Sequence, residues 1–119
     1  MNIEDFRIYC LSKKDVTESI PFPSLPNVLV FKVHGKMFTG TDMTTFASFS
    51  IKCDPETIDE LRATFPAVQE PSYFSKKHWC RVMMDGTISE QQLHEWLDIS
   101  YNLVVAKLPK RIREKINVE

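Results

Sequence analysis

The spacing of hydrophobic residues predicts alternating helices and strands along most of the chain. Near the N-terminus, apolar residues recur at helical spacing after the capping residue Asn2, which predicts a helix over residues 3–12. Residues 13–27 contain three prolines. This composition predicts a connecting loop, with a short extended piece near residues 16–19.

A β-hairpin follows this loop. Residues 28–33 are rich in β-branched and aromatic side chains, His34-Gly35 is typical of a two-residue turn, and residues 36–39 form the returning strand. A regular register places Phe31 opposite Phe38, and we assign both to the core face together with Leu29. The same register predicts that the solvent face carries Val30, Lys32, Met37 and Thr39.

A third strand and a second helix come next. Residues 47–52 alternate between apolar and polar positions, so a strand there places Lys52 on the solvent face that also carries Lys32. Asp54 is a strong helix cap and a proline follows it at the first helical position. The pattern therefore predicts a helix over residues 55–65.

The second half predicts a strand over residues 79–84 and a long helix. The strand ends at the turn residues Asp85-Gly86, and Ser89 with Gln92 resembles a capping box. An apolar stripe then predicts a helix over residues 90–108, which Pro109 ends, and a short basic helix follows. The resulting class is α+β: a two-layer sandwich of an antiparallel sheet with helices on one face, in the order α-β-β-β-α-β-β-α.

Length and composition indicate one globular domain over residues 1–119. The chain has 43% hydrophobic and 26% charged residues, and no apolar run approaches the roughly 20 residues that cross a bilayer. Residues 1–5 lack the basic start and apolar run of a signal peptide. Three widely spaced cysteines argue against a disulfide framework. We therefore predict a cytoplasmic protein without a membrane partner.

Charge is distributed unevenly although the formal net charge is only −1. Residues 107–119 contain five basic and two acidic residues, whereas residues 82–106 contain four acidic residues and no lysine or arginine. Such asymmetry can steer a polyanion to one side of the molecule. The alternative interpretation is an ordinary solvated surface, and the charge pattern alone does not separate the two.

The segment Tyr73–Trp79 concentrates three aromatic residues, two lysines and one histidine. Its lysines could contact phosphates while Trp79 or Tyr73 stacks on a base. The alternative is that Trp79 belongs to the core and the lysines keep a strand soluble.

Catalysis, metal binding and nucleotide hydrolysis find little support in the sequence. His78 and Cys80 lie two residues apart, but no third orienting group and no oxyanion-hole loop accompany them. A buried cysteine beside a surface histidine is the commoner arrangement. The histidines and cysteines lack the spacing of metal ligands, and there is no glycine-rich phosphate loop. We predict a non-enzymatic protein without catalytic residues, metal or cofactor.

Five separated blocks carry a resemblance to a known family: Val16-Thr17-Glu18 with Pro21-Phe22, Phe31–Phe38, Ile51–Glu56 with Leu61-Arg62, Ser75–Trp79, and Ser100–Lys110. In this order they resemble the MmcQ/YjbR family of small bacterial proteins. The resemblance implies a fold similar to secretion chaperones and frataxin-type (CyaY-like) proteins, and DNA binding through a pair of wing-like hairpins. The threonine-rich residues 39–47 depart from the family pattern at the second hairpin tip.

Together these observations predict a protein that binds double-stranded DNA through a basic sheet face and a basic C-terminal segment. Little sequence discrimination is expected, because no helix presents groove-reading residues. The alternative is a peptide- or protein-binding module without a role in nucleic-acid binding. On the first hypothesis, charge reversal at Lys76, Lys77, Lys110 and Arg111 abolishes binding. The candidate DNA-binding residues are Lys32, Lys36, Lys52, Lys76, Lys77, His78, Lys107, Lys110, Arg111 and Arg113.

Overall fold

The structure, a computed structural model, describes residues 1–72 and 74–118. Within these residues the helices are α1 (Ile3–Leu11), α2 (Ile58–Thr64), α3 (Glu90–Val105) and α4 (Lys110–Val118). The strands are β1 (Val16–Ser19), β2 (Val28–Val33), β3 (Lys36–Asp42), β4 (Ser48–Lys52), β5 (Val68–Gln69) and β6 (Trp79–Met83). The described strands form one six-stranded sheet in the order β1-β2-β3-β4-β6-β5.

The predicted α+β class and the order of elements are confirmed. Every neighbouring pair of strands is antiparallel. The short extended piece predicted near residues 16–19 is β1, which pairs with β2 at one edge of the sheet. The short basic helix predicted after Pro109 is α4.

Two predicted helix starts are confirmed by their caps. The Asn2 side-chain oxygen accepts a hydrogen bond from the Asp5 backbone N–H at 2.8 Å, and α1 begins at Ile3, directly after Asn2. The Ser89 hydroxyl oxygen accepts from the Gln92 backbone N–H at 3.1 Å, and α3 begins directly after it. Each cap satisfies a backbone donor that the first helical turn leaves free.

The start predicted for the second helix is wrong by three residues. Asp54 does not cap a helix at Pro55; its carboxylate accepts from the Glu56 backbone N–H at 3.0 Å. Its carbonyl accepts from both the backbone N–H and the hydroxyl of Thr57, at 3.0 and 2.8 Å. These bonds close a separate turn over residues 54–57, so α2 begins only at Ile58.

The hairpin turn is confirmed, but the register beyond it is not regular. His34 and Gly35 both have positive φ, 47° and 78°, as a type I′ turn requires. A β-bulge then shifts the pairing, so that Phe31 lies opposite Thr39 rather than Phe38. Thr39 therefore belongs to the core face, where it is fully buried, and its predicted place on the solvent face is wrong.

The core lies between one face of the sheet and the helices. The ring of Phe6 in α1 packs edge-on against Phe31 with centroids 5.6 Å apart, and Tyr101 in α3 packs edge-on against Phe38 at 5.4 Å. Helices α1 and α3 also contact each other, because the Tyr9 hydroxyl donates to Asp98 at 2.6 Å. The opposite face of the sheet, called here the outer face, carries Lys32 and Lys52 as predicted, since each alternates with core residues.

The buried thiol of Cys10 offers a test of this packing. Cys10 is fully buried, and burial raises the pKa of its thiol to about 12, although Lys13 opposes this effect. Because the thiolate is the reactive species, native Cys10 should resist iodoacetamide at about pH 8 and react readily once urea unfolds the protein. Mass spectrometry of the modified peptides measures this. Rapid alkylation of Cys10 in the native protein would contradict the packing of α1.

Candidate nucleic-acid interface

Three of the predicted lysines surround one cavity at the end of the sheet. This cavity, called here the lysine cavity, has a volume of about 440 Å³. Lys36 is the first residue of β3, Lys52 is the last residue of β4, and Lys107 follows the C-terminus of α3. Residues distant in sequence are thus brought together at one site. The lining consists of Lys36, Met37, Lys52, Trp79, Val104, Lys107 and Leu108.

The buried hydroxyl of Ser100 holds α3 against the two strands that carry Lys36 and Lys52. It donates to the backbone carbonyl of Phe38 in β3 and accepts from the backbone N–H of Lys52 at 2.8 Å. Ser100 is fully buried, so these bonds form away from water. One side chain in α3 therefore sets the position of both strand ends, two turns of helix before Lys107.

The lysine cavity carries positive charge. Among the described residues that line it, none is an aspartate or a glutamate. Within residues 1–72 and 74–118, none of the ion pairs involves Lys36, Lys52 or Lys107. Lys32 extends the same charge, because it pairs with Met37, which lines the cavity. Like charges held together in this way favour an anion between them.

The other candidate residues are arranged differently. Lys77 and His78 are exposed in the turn that leads into Trp79, and the His78 carbonyl accepts from the Cys53 backbone N–H at 2.7 Å, beside Lys52. Lys76 instead contacts Glu70, with Nζ 3.3 Å from a carboxylate oxygen. A carboxylate beside a lysine weakens its attraction for phosphate.

The basic C-terminal segment forms the short helix α4, which packs on the core. Ile116 of α4 is buried in the core and Ile112 packs against it. Lys110 forms an ion pair with Glu114 at 3.9 Å, Arg111 is exposed, and Arg113 is half-buried. The structure does not bring these α4 cations into the lining of the lysine cavity.

Trp79 combines features of the two roles considered for it, a core residue and an exposed stacking surface. Its side chain is half-buried and packs against the ring of Phe74 with centroids 4.9 Å apart. It also lines the lysine cavity, where it lies opposite Lys52 in the sheet register. Trp79 therefore supports the outer face and presents part of its ring to the lysines. Tyr73, the other aromatic residue considered for stacking, lies outside the described residues.

The sequence pair His78 and Cys80 does not form a reactive site. Cys80 is fully buried on the core face of β6, whereas His78 is exposed before the strand begins. Cys80 interacts instead with Cys53: the mutual interaction of the two buried thiols raises the pKa of Cys53 and lowers the pKa of Cys80. The described residues contain no group of three or more histidine, cysteine, aspartate or glutamate side chains placed to hold a metal ion. None of the described helices combines the length and hydrophobicity needed to cross a bilayer.

Sequence reasoning missed a second cavity, on the outer face of the sheet. This outer-face cleft has a volume of about 550 Å³. The loop between β1 and β2 forms one wall and the segment before β6 forms another. The outward orientation of Arg81 could have been predicted, because Arg81 lies between the buried residues Cys80 and Val82 on one strand. The lining residues that matter most are Phe22, Leu25, Val28, Gly40, Asp42, Ser50, Phe74 and Arg81.

Comparison with known proteins identifies relatives of this chain. Residues 11–103 match the family model of YjbR. The chain is 29% identical to Escherichia coli O157:H7 YbdF, covering 87% of this chain and 89% of that protein, and 26% identical to Escherichia coli K12 YjbR, covering 96% of each. Neither name states an activity.

Two solved structures are similar in fold. The crystal structure of Deinococcus radiodurans protein DR2400 superposes with a TM-score of 0.89 at 34% identity, over 98% of this chain and 88% of that one. A Pseudomonas syringae protein superposes with a TM-score of 0.75 at 22% identity, over 87% of this chain and 98% of that one. The match to the family model spans most of the chain. The chain therefore belongs to the YjbR family.

Proposed function

We propose that this protein binds double-stranded DNA through the lysine cavity, with little discrimination of sequence and without catalysis. The observation that carries the proposal is the convergence of Lys36, Lys52 and Lys107 on one cavity whose described lining contains no carboxylate. Lysine ammonium groups neutralise phosphates as point charges, and phosphate contacts supply most of non-specific DNA affinity. The resemblance to the MmcQ/YjbR family supports the same function.

Flanking cations widen the proposed surface beyond a single phosphate. Lys32 lies next to the cavity through its partner Met37, and Lys77 with His78 precedes Trp79 in the chain. A duplex presents a phosphate on each strand every few ångströms, so such neighbours can contact it together. Lys76, Lys110, Arg111 and Arg113 remain candidates at the periphery, where Glu70 and Glu114 reduce the attraction of the first two.

Recognition of base sequence is not part of the proposal. Among the described side chains of α4, Lys110, Arg111, Glu114 and Lys115 are exposed, and Ile112 and Ile116 pack against the core. A groove-reading helix usually presents several arginine, asparagine or glutamine side chains to base edges from one exposed face, whereas Arg111 is the one exposed residue of these types among the described side chains of α4. Phosphate contact through lysine therefore accounts for the proposed binding.

A fluorescence-anisotropy titration of a labelled duplex tests this function. Three lysine–phosphate contacts predict that affinity falls by about 40-fold between about 50 and 200 mM salt, since each contact adds about 0.9 to the logarithmic slope. A titration with an unrelated duplex of equal length should give the same affinity.

The alternative function, a peptide- or protein-binding module, predicts a different result. Apolar docking depends little on ionic strength, so such a module should not bind the duplex with a steep salt dependence. Absence of duplex binding at about 50 mM salt, or an affinity that does not change with salt, would contradict the proposal.

A further inference from the structure

The outer-face cleft carries chemistry that DNA binding does not use. It lies on the face of the sheet opposite the core, where Gly40, Ser50 and Arg81 stand side by side on three adjacent strands. Its volume, about 550 Å³, falls within the range of pockets that hold small molecules, which is roughly 300–1,000 Å³.

Apolar side chains form the walls of the cleft and small residues form its floor. Phe22 and Leu25 stand on the loop between β1 and β2, which two backbone hydrogen bonds fold into consecutive turns, from Leu25 to Phe22 at 2.9 Å and from Val28 to Leu25 at 3.1 Å. Phe74 stands on the opposite segment and is supported by Trp79. Gly40 adds no side chain to the floor, and a Cβ at this position would lie 3.1 Å from Val30 Cγ1.

Arg81 provides the one cationic group of the described lining. Its two terminal nitrogens donate to neutral acceptors, the Ser72 hydroxyl at 3.1 Å and the Gln69 side-chain oxygen at 3.3 Å. Its Nε is buried and has no hydrogen-bond partner, and Arg81 takes part in none of the ion pairs of the described residues. A guanidinium so placed still lacks its natural counter-ion, an oxyanion.

The charges around the cleft favour a monoanion over a phosphate. Arg81 supplies a single positive charge, and Asp42 supplies a negative charge at another part of the lining. A dianionic phosphate would meet this carboxylate without a second cation to offset it. The geometry points to a binding site for small monocarboxylates with an apolar body: the carboxylate contacts Arg81 and the body packs between Phe22 and Phe74.

The test uses three probes of equal shape: 4-phenylbutyrate, 4-phenylbutanol and 4-phenylbutylamine. Binding is followed by NMR of the uniformly labelled protein, with the Gly40 amide and the Arg81 Nε–H as reporters. We expect the carboxylate to bind at least about tenfold more tightly than the alcohol, the effect of a charge-assisted hydrogen bond, and to shift the Arg81 Nε–H signal. Equal binding of all three probes, tighter binding of the amine, or no binding at millimolar concentration would overturn the proposal.

Two variants and a control locate the site. Arg81→Gln should remove the preference for the carboxylate over the alcohol. Ser50→Leu should fill the floor and abolish binding of both, because the Ser50 side chain lines the cleft and makes none of the described hydrogen bonds. Ser19→Leu places the same side chain on the outer face of β1, away from the cleft lining, and should change nothing. Circular dichroism and thermal melting establish that each variant is folded.

A peptide that ends in a free phenylalanine carboxylate presents the same chemistry from a different source. A tetrapeptide of this kind is titrated beside 4-phenylbutyrate. Tighter binding of the small acid supports the site as proposed. Binding of the tetrapeptide alone would overturn the assignment to small molecules.

Discussion

Charge reversal at Lys36, Lys52 and Lys107 together is expected to lower the affinity for duplex DNA by at least about 100-fold at about 50 mM salt. Each lost lysine–phosphate contact removes the favourable release of one counter-ion from the DNA. Each introduced glutamate also repels the phosphates of the duplex. Lys36 and Lys107 are exposed and Lys52 is half-buried, so the triple variant should remain folded. Fluorescence anisotropy with the labelled duplex measures the loss.

A matched control separates this local surface from net charge. Lys76, Lys110 and Lys115 are exposed lysines that do not line the lysine cavity. Changing all three to glutamate alters the net charge by the same amount as the first variant. The control weakens long-range attraction as much as the first variant and removes two of the peripheral candidates, Lys76 and Lys110, but it leaves the three central contacts in place. Its affinity is therefore expected to fall by no more than about tenfold. Equal loss in both variants would show that overall charge, rather than this cavity, carries the binding.

The substitution Ser100→Ala is expected to destabilise the fold by about 2 kcal/mol or more. It leaves two backbone groups without their partner, the Lys52 N–H and the Phe38 carbonyl, at a site from which water is excluded. Each unsatisfied buried group costs about 1–3 kcal/mol. Urea unfolding monitored by circular dichroism measures the difference in the free energy of unfolding.

Ser50→Ala serves as the control for this variant. Ser50 lies in the same strand as Lys52, and its side chain makes none of the described hydrogen bonds. Its loss should cost no more than about 0.5 kcal/mol, as is usual for surface substitutions. A Ser100→Ala protein as stable as the Ser50→Ala protein would mean that α3 is not held to the strand ends through this hydroxyl.

Local signals in the sequence predicted most of the fold. Asn2 and Ser89 cap helices because their side chains reach backbone donors only three residues away. The turn at His34-Gly35 was predicted from a two-residue loop, which requires positive φ at both positions, and both residues adopt it. These interactions are complete within a few residues, so they do not depend on the rest of the chain.

The errors arose where neighbouring strands or competing turns decide the outcome. The bulge in β3 is a property of the pair β2 and β3, and period-two alternation cannot reveal it. The bulge buries Thr39. Burial of this hydroxyl is tolerated because it donates a hydrogen bond to the Ser50 carbonyl at 2.6 Å. Asp54 is favourable both at a helix cap and in a tight turn, and the sequence alone does not choose between them.

The candidate site was predictable only in part. Period two correctly placed Lys32 and Lys52 on the outer face. The approach of Lys107 to Lys36 and Lys52 depends on how α3 packs across the sheet, which no local pattern specifies. The outer-face cleft was missed for the same reason, since its walls come from Phe22 and Phe74 on two separate loops.

The number of phosphate contacts at the lysine cavity is the quantity that tests the DNA-binding proposal most directly. Affinity for the duplex is measured against salt for the wild-type protein and for the variant with Lys36, Lys52 and Lys107 all changed to glutamine. Loss of three contacts predicts that the slope of log affinity against log salt becomes shallower by about 2.7. An unchanged slope would contradict the account, because the duplex would then be held by other parts of the protein.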